Sequence, residues 1–253
     1  VARQKLGQHF LASGKILERI ARAACGEHTP LAVEIGPGRG ALTERLLAHA
    51  DRVVAIELDP ALTDILRERG EPRLEVIGAN ALDIDWSGWG AGVLAGNLPY
   101  YAATPIVSRY VRRPGLLHQA VFLVQKEVAE RITAKPGGRE FGYLSVECQL
   151  FAETALLFSV PRGAFQPPPK VESAVIRLTP RNRLPVRDPD AFLAFVSRCF
   201  RQKRKTLRNN LAEAYRPERY ESRPEISRRA EQLSIEDFVA LYEVVTEGAA
   251  SPV

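Results

Sequence analysis

Short apolar runs alternate with longer amphipathic stretches through the first two thirds of the chain. Residues 31–35 (LAVEI) are nearly continuous in apolar character and read as a buried strand. Residues 41–50 follow with Leu42, Leu46 and Leu47 on one helical face. The pattern then predicts strands over 52–56, 74–77, 93–95 and 120–124, with a further helix over 60–69. Strands this apolar need cover on both faces, so the alternation implies a mostly parallel sheet between helix layers. Right-handed crossovers make that an α/β, doubly wound, Rossmann-like sheet.

Beyond Val124 the pattern changes. Residues 133–142 carry Lys135-Pro136-Gly137-Gly138 and read as a loop. Pro167, Pro168 and Pro169 fix a stiff, extended segment after Phe165, and a late strand follows over 172–178. Residues 180–189 are polar and proline-rich, which places a domain boundary there. The expected division is a catalytic domain over 1–180 and a small all-helical domain over 181–253. In the latter, Asp188 caps a helix with Pro189 at its first position. Phe192, Phe195, Val196, Cys199 and Phe200 share one face. Arg198, Arg201, Lys205 and Arg208 recur on another, so the helix is expected to run through Arg208. Two shorter helices are expected over 224–232 and 234–246.

Composition narrows the function class. The 253 residues are 45% hydrophobic and 26% charged, which is ordinary for a soluble globular protein. Cys25, Cys148 and Cys199 are far apart, which argues against a disulfide framework and a zinc site and for a reducing, cytoplasmic location. His9, His28, His49 and His118 lack ligand spacing, so no metal is expected. No apolar run is long enough for a membrane span, and the polar start with Arg3 and Lys5 does not resemble a secretory signal. The chain starts at Val1 and has no methionine, which leaves an upstream segment open. The net charge of +5 is only mildly basic. Its concentration matters more: Arg198, Arg201, Lys203, Arg204, Lys205 and Arg208 occur in a stretch without an acidic residue, which suits a polyanion such as RNA. A solvated helix face is the plainer alternative.

The segment Glu34-Ile35-Gly36-Pro37-Gly38-Arg39-Gly40 lies between the first strand and first helix. Gly36 and Gly38 let the backbone turn sharply and let a ligand approach, and the following helix aims free amides at it. Glu57, at the end of the next strand, can accept ribose hydroxyls. The spacing is GxGxG rather than the dinucleotide GxGxxG, and Glu34 adds a carboxyl where a diphosphate would sit. S-adenosylmethionine therefore fits better than NAD. Asn80 follows the third strand and can contact the adenine of that cofactor, or can simply hold a turn.

Asn97-Leu98-Pro99-Tyr100 follows the fourth strand, on the ligand side of such a sheet. An exocyclic adenine amine is a poor nucleophile because its lone pair is delocalised into the ring. Two acceptors on its hydrogens would free that lone pair. The Asn97 side-chain oxygen can be one, and the Leu98 carbonyl the other, with Pro99 keeping Leu98 extended. Tyr100 can stack on the base. Alignment and a polar cradle then supply the rate without a strong base. A proline turn with an incidental asparagine is the bland alternative.

With these residues in place, the chain resembles the ribosomal RNA adenine dimethylases, most closely those of the small subunit. Residues 6–11 (LGQHFL) are similar to the family's N-terminal cofactor lid. Gly36, Gly38 and Glu57 are similar to its glycine loop and ribose acid, and Asn97 to Tyr100 to its NLPY segment. Residues 125–129 (QKEVA), 142–146 (GYLSV), 165–175 (FQPPPKVESAV) and 200–208 (FRQKRKTLR) resemble further family segments. The resemblance implies a class I methyltransferase domain. It implies N6,N6-dimethylation of two adjacent adenines in a 3′-terminal hairpin loop of 16S rRNA, coupled to late subunit assembly. The implied partner is the small ribosomal subunit, and a monomer is expected. It also implies cofactor contacts from His9, Leu11, Gly36, Glu57, Asn80 and Asn97, and a base contact from Phe165 opposite Tyr100. His9 stands where the family usually has Asn, and Asn80 where it usually has Asp.

Three other readings share parts of this pattern. A large-subunit rRNA adenine methylase of the resistance type shares the core, but 165–175 and the basic segment favour the small-subunit enzyme. A non-catalytic assembly factor of the same fold fits less well, because Asn97 to Tyr100 is intact. A DNA adenine methylase would carry a DPPY-like segment and a DNA-reading domain, and neither is present.

Overall fold

The computed structural model describes residues 9–115 and 117–246. Its strands are β1 (Phe10–Leu11), β2 (Thr29–Ile35), β3 (Ala50–Glu57), β4 (Leu74–Gly78), β5 (Gly92–Asn97), β6 (Leu117–Gln125), β7 (Ala152–Val160), β8 (Phe165–Gln166) and β9 (Ser173–Pro180). Its helices are α1 (Gly14–Cys25), α2 (Ala41–Leu47), α3 (Pro60–Arg67), α4 (Ala103–Arg112), α5 (Lys126–Thr133), α6 (Tyr143–Phe151), α7 (Pro189–Cys199), α8 (Leu207–Leu211) and α9 (Ile235–Thr246). None of these helices is long and apolar enough to cross a membrane.

Seven strands form one sheet in the order β4-β3-β2-β5-β6-β9-β7. The first five pair in parallel, and β9 pairs antiparallel with both β6 and β7. The apolar runs account for the parallel part: Val33, Val54, Leu94 and Phe122 are fully buried at its centre. Helix α1 closes one face with Leu17, Ile20, Ala21 and Ala24 at helical spacing. Asp59 caps α3 by accepting from the Ala61 amide at 2.9 Å, and Pro60 occupies its first position. The strand order reverses direction between β2 and β5. That switch point opens a crevice at the strands' carboxyl ends. The short β1 pairs antiparallel with β8, with Leu11 opposite Phe165, so the start of the chain is strapped to the FQPPP segment.

The chain divides into two compact units. One comprises residues up to Ala129 with Ala152–Pro180, and the other Glu130–Phe151 with residues from Arg181 on. This corrects the single cut expected after Pro180. The reason lies in α6, where Leu144, Val146, Cys148, Leu150 and Phe151 are all buried. A helix so widely apolar needs partners on more than one side, and α6 packs with α7 and α9 in the second unit.

Two helical expectations in the second unit also need correction. Asp188 does cap α7, accepting from the Ala191 amide at 2.9 Å, but α7 stops at Cys199 rather than continuing through Arg208. Asn210 accounts for the stop. Its buried amide donates to the Cys199 and Gln202 carbonyls at 2.8 and 3.3 Å, and its oxygen accepts from the Gln202 amide at 3.0 Å. Those bonds replace helical ones and hold the basic stretch as a loop. Residues 224–232 form two 3-10 turns, Pro224–Ser227 and Ala230–Gln232, rather than one helix. The Gln232 side chain accepts from the Arg229 amide at 2.8 Å between them.

Candidate active site

A cavity of about 800 Å³ opens at the switch point. Its walls come from the glycine loop, the ends of β3, β4 and β5, the catalytic tetrapeptide, and the strap around β1 and β8. His9, Leu11, Gly36, Gly38, Glu57, Asn80, Asn97, Leu98, Pro99 and Tyr100 all line it. The expected site residues near Asn97 are therefore gathered in one place, with the exception of Phe165. Leu6, Gly7 and Gln8 of the N-terminal segment lie outside the described residues.

The glycine loop is shaped by necessity. Gly36 and Gly38 have φ of 69° and 59°, a region that strains other residues. A Cβ on Gly38 would also stand 3.0 Å from the Phe10 ring. The Glu57 carboxylate ties this loop to β3. One oxygen accepts from the Gly38 amide at 3.0 Å, and the other from the Leu58 and Asp59 amides at 2.9 and 3.0 Å. A carboxylate offers about four acceptor positions, so Glu57 keeps capacity for one further donor rather than for two ribose hydroxyls.

Glu34 is buried beneath the loop and accepts the Thr43 hydroxyl at 2.6 Å. Burial pushes its carboxyl up to about 8, with the nearby Glu57 acting in the same direction. Glu34 is thus neutral at pH 7, and its charge is not what excludes a diphosphate. The GxGxG spacing is what separates this loop from a dinucleotide site. Asn80 forms a turn. Its oxygen accepts from the Leu82 amide at 3.1 Å, and its amide donates to the Asp83 carboxylate at 3.0 Å. One hydrogen and one lone pair remain for a ligand, and Asp83 brings a carboxylate to the corner where Asn80 lacks one.

Asn97 ends β5, and its side-chain nitrogen donates to the His9 main-chain carbonyl at 3.2 Å. That turns its oxygen away from His9. Leu98 is buried, and its amide donates to the Leu123 carbonyl at 3.0 Å. Among the described residues, no donor occupies the Asn97 side-chain oxygen or the Leu98 carbonyl. Two unoccupied acceptors thus belong to adjacent residues that line the cavity. The Tyr100 hydroxyl is hydrogen-bonded to Ser173 Oγ at 3.0 Å.

The structure bears on three assignments. Phe165 is 2% exposed and packs in the core with Leu11, Leu17, Val121 and Val175. It does not face the cavity, so it cannot close over a base there. His9 lines the cavity with its Nδ1 donating to the Pro167 carbonyl at 2.9 Å, which leaves Nε2 as the ring nitrogen available to a ligand. In the basic segment, Arg201 and Arg208 have carboxylate partners that are distant in sequence, Glu213 at 2.7 Å and Glu221 at 3.5 Å. Arg198, Lys203, Arg204 and Lys205 are exposed, and among the described residues none is within ion-pair distance of a carboxylate.

Two cavity residues escape a reading of the sequence. Leu58 is 51% exposed beside Glu57, an apolar platform suited to a purine face. Its signal is an apolar residue directly after the acid at a strand end. Tyr101 is 62% exposed next to Tyr100. The set fits S-adenosylmethionine: positive-φ glycines admit close approach, Glu57 can take a ribose hydroxyl, and Leu58, Ala81 and Ile106 supply apolar wall.

Comparison with known proteins agrees with this chemistry. A family model described as ribosomal RNA adenine dimethylase matches residues 1–247. The ribosomal RNA small subunit methyltransferase A of Chlorobaculum parvum is 40% identical over 248 residues, covering 97% of this chain and 90% of its own length. Among solved structures, a dimethyladenosine transferase from Plasmodium falciparum superposes with a TM-score of 0.81 at 27% identity, covering 92% of this chain and 96% of its own. The 23S rRNA methyltransferase ErmE does so with a TM-score of 0.76 at 28% identity, covering 94% and 100%.

Proposed function

The chain belongs to the ribosomal RNA adenine dimethylase family, and from that premise we propose that its target is a pair of adjacent adenines in a 3′-terminal hairpin loop of the small-subunit rRNA. It is an S-adenosylmethionine-dependent RNA adenine-N6 methyltransferase. The reading extends to its partner, the small subunit with its 16S rRNA, and to late subunit assembly as the stage of action. A monomer working in the cytoplasm belongs to the same reading. The small-subunit relative, at 40% identity, favours this target over the large-subunit RNA named for ErmE, at 28%.

One observation carries the chemical part. Asn97 and Leu98 both line the cavity, and with the Asn97 nitrogen given to the His9 carbonyl, the Asn97 side-chain oxygen and the Leu98 carbonyl are left without a donor among the described residues. Those two acceptors hold the two hydrogens of an exocyclic amine. The nitrogen lone pair is then drawn out of conjugation and aimed across the cavity toward the glycine loop. S-adenosylmethionine, when bound, supplies a methyl group made electrophilic by its sulfonium. The methylated nitrogen becomes acidic and gives its proton to water, so the cavity needs no strong base. A loop adenine suits this site because an unpaired base can enter without breaking a duplex.

The second unit is proposed to hold the RNA. Lys203, Arg204 and Lys205 extend from the loop that Asn210 clamps, and Arg198 is exposed just before it. Such cations contact phosphates without reading sequence. The catalytic reading is tested with Asn97→Ala. Methyl transfer to unmethylated small subunits should fall at least about 100-fold, while subunit binding in a sedimentation assay is retained. Full activity in that variant would remove the acceptor role.

A further inference from the structure

We propose that His9 is a positioning residue: its main-chain carbonyl selects the reactive orientation of the Asn97 amide, and its ring anchors that carbonyl. The inference rests on the reading of Asn97 as an acceptor for the target amine. It departs from a direct contact between His9 and the cofactor.

A side-chain amide has two orientations of nearly equal shape, related by a half turn. Only one presents oxygen to an incoming amine. In the other, two donors would face each other. Choosing between them requires a fixed partner of known polarity. The His9 carbonyl is such a partner because it can only accept, and it receives the Asn97 nitrogen at 3.2 Å.

The carbonyl must itself be fixed. His9 directly precedes β1, so the ladder with β8 secures only the side that continues into Phe10. The side chain provides the other anchor. Its Nδ1 donates to the Pro167 carbonyl at 2.9 Å, and its ring lies against Tyr100 with centroids 5.8 Å apart and planes inclined by 33°. Tyr100 is held in turn by Ser173 at 3.0 Å. The strap, the Phe165–Ser173 segment and the catalytic tetrapeptide thus close a circuit of contacts through one residue. This circuit also explains what the proline-rich segment does at a site that Phe165 does not reach: Pro167 holds His9, which holds Asn97, and Ser173 holds Tyr100 directly.

The test compares His9→Ala with His9→Asn. Asparagine places Nδ2 about where histidine places Nδ1, so His9→Asn retains a donor for Pro167. The readouts are kcat on unmethylated small subunits and the calorimetric affinity for S-adenosylhomocysteine, which also reports folding. His9→Ala should lose about 10- to 100-fold in kcat, with affinity within about threefold of the parent. His9→Asn should recover most of that loss. The inference is overturned if His9→Ala keeps the parent kcat, if affinity falls as far as kcat, or if His9→Asn is as slow as His9→Ala. Asn97→Ala is run alongside. If it stays active, the acceptor reading itself fails; if it is dead beside a fully active His9→Ala, only the positioning role fails.

Discussion

At the scale of the residue, polarity and burial decide roles that residue type alone leaves open. Asn97 is legible in the sequence because an acceptor is needed beside a methyl donor, and Pro99 marks the turn that presents it. Its orientation is not legible, since that depends on a carbonyl 88 positions away. Phe165 shows the opposite failure. The family resemblance implies a base contact for it, but the pairing of β1 with β8 turns it into the core. Glu34 gives a quantitative check. Its carboxyl titrates near 4.5 when unfolded and about 8 when folded, chiefly because burial disfavours the charge. Below the lower value both states are protonated. Between the two, the unfolded chain releases a proton that the folded chain keeps, so stability falls as pH rises, by up to about 1.4 kcal/mol per unit. Above about 8 the loss levels off. Glu34→Gln keeps an acceptor for Thr43 and has no such proton, so its stability relative to the parent should grow as pH rises from about 5 to about 8. Urea unfolding across that range measures this, and parallel curves would show that Glu34 ionises normally.

At the scale of the element, periodicity finds the parallel strands and α2, α3 and α7 but misplaces where helices end. The basic residues from Arg198 to Arg208 recur at helical spacing, yet α7 ends at Cys199. A buried asparagine eleven residues beyond that end supplies better partners for the terminal carbonyls than another turn would. Spacing cannot reveal this because Asn210 acts through contacts on α8. Its effect is to split the six basic residues into two groups. Arg201 and Arg208 face Glu213 and Glu221, so part of their charge is already answered. Lys203→Ala, Arg204→Ala and Lys205→Ala should each lower the slope of log affinity against log salt for small subunits by about one. Arg201→Ala and Arg208→Ala should lower it by less. Equal effects from all five substitutions, measured by fluorescence titration over a salt series, would contradict the division.

At the scale of the whole molecule, the α/β class and the location of the site follow from the strand–helix alternation and from where the glycine loop and Asn97 fall within it. Both sit at strand ends that flank the reversal between β2 and β5, where a doubly wound sheet opens its crevice. The antiparallel edge is less legible. Strand β7 alternates weakly between exposed and buried positions and follows directly on α6, so no turn signal separates the two. The division into units is hidden for a related reason: α6 is far in sequence from the helices that it packs with. Methylation of adenine N6 in small-subunit rRNA draws on both units of the molecule together. The most direct measurement incubates the protein with methyl-labelled S-adenosylmethionine and, separately, unmethylated small subunits, large subunits and DNA, then maps the labelled nucleotides. The account predicts label only in the small subunit, on two neighbouring adenines of a 3′-terminal hairpin loop, each reaching N6,N6-dimethyladenosine. Label confined to large-subunit RNA or to DNA, or none in any arm, would contradict it.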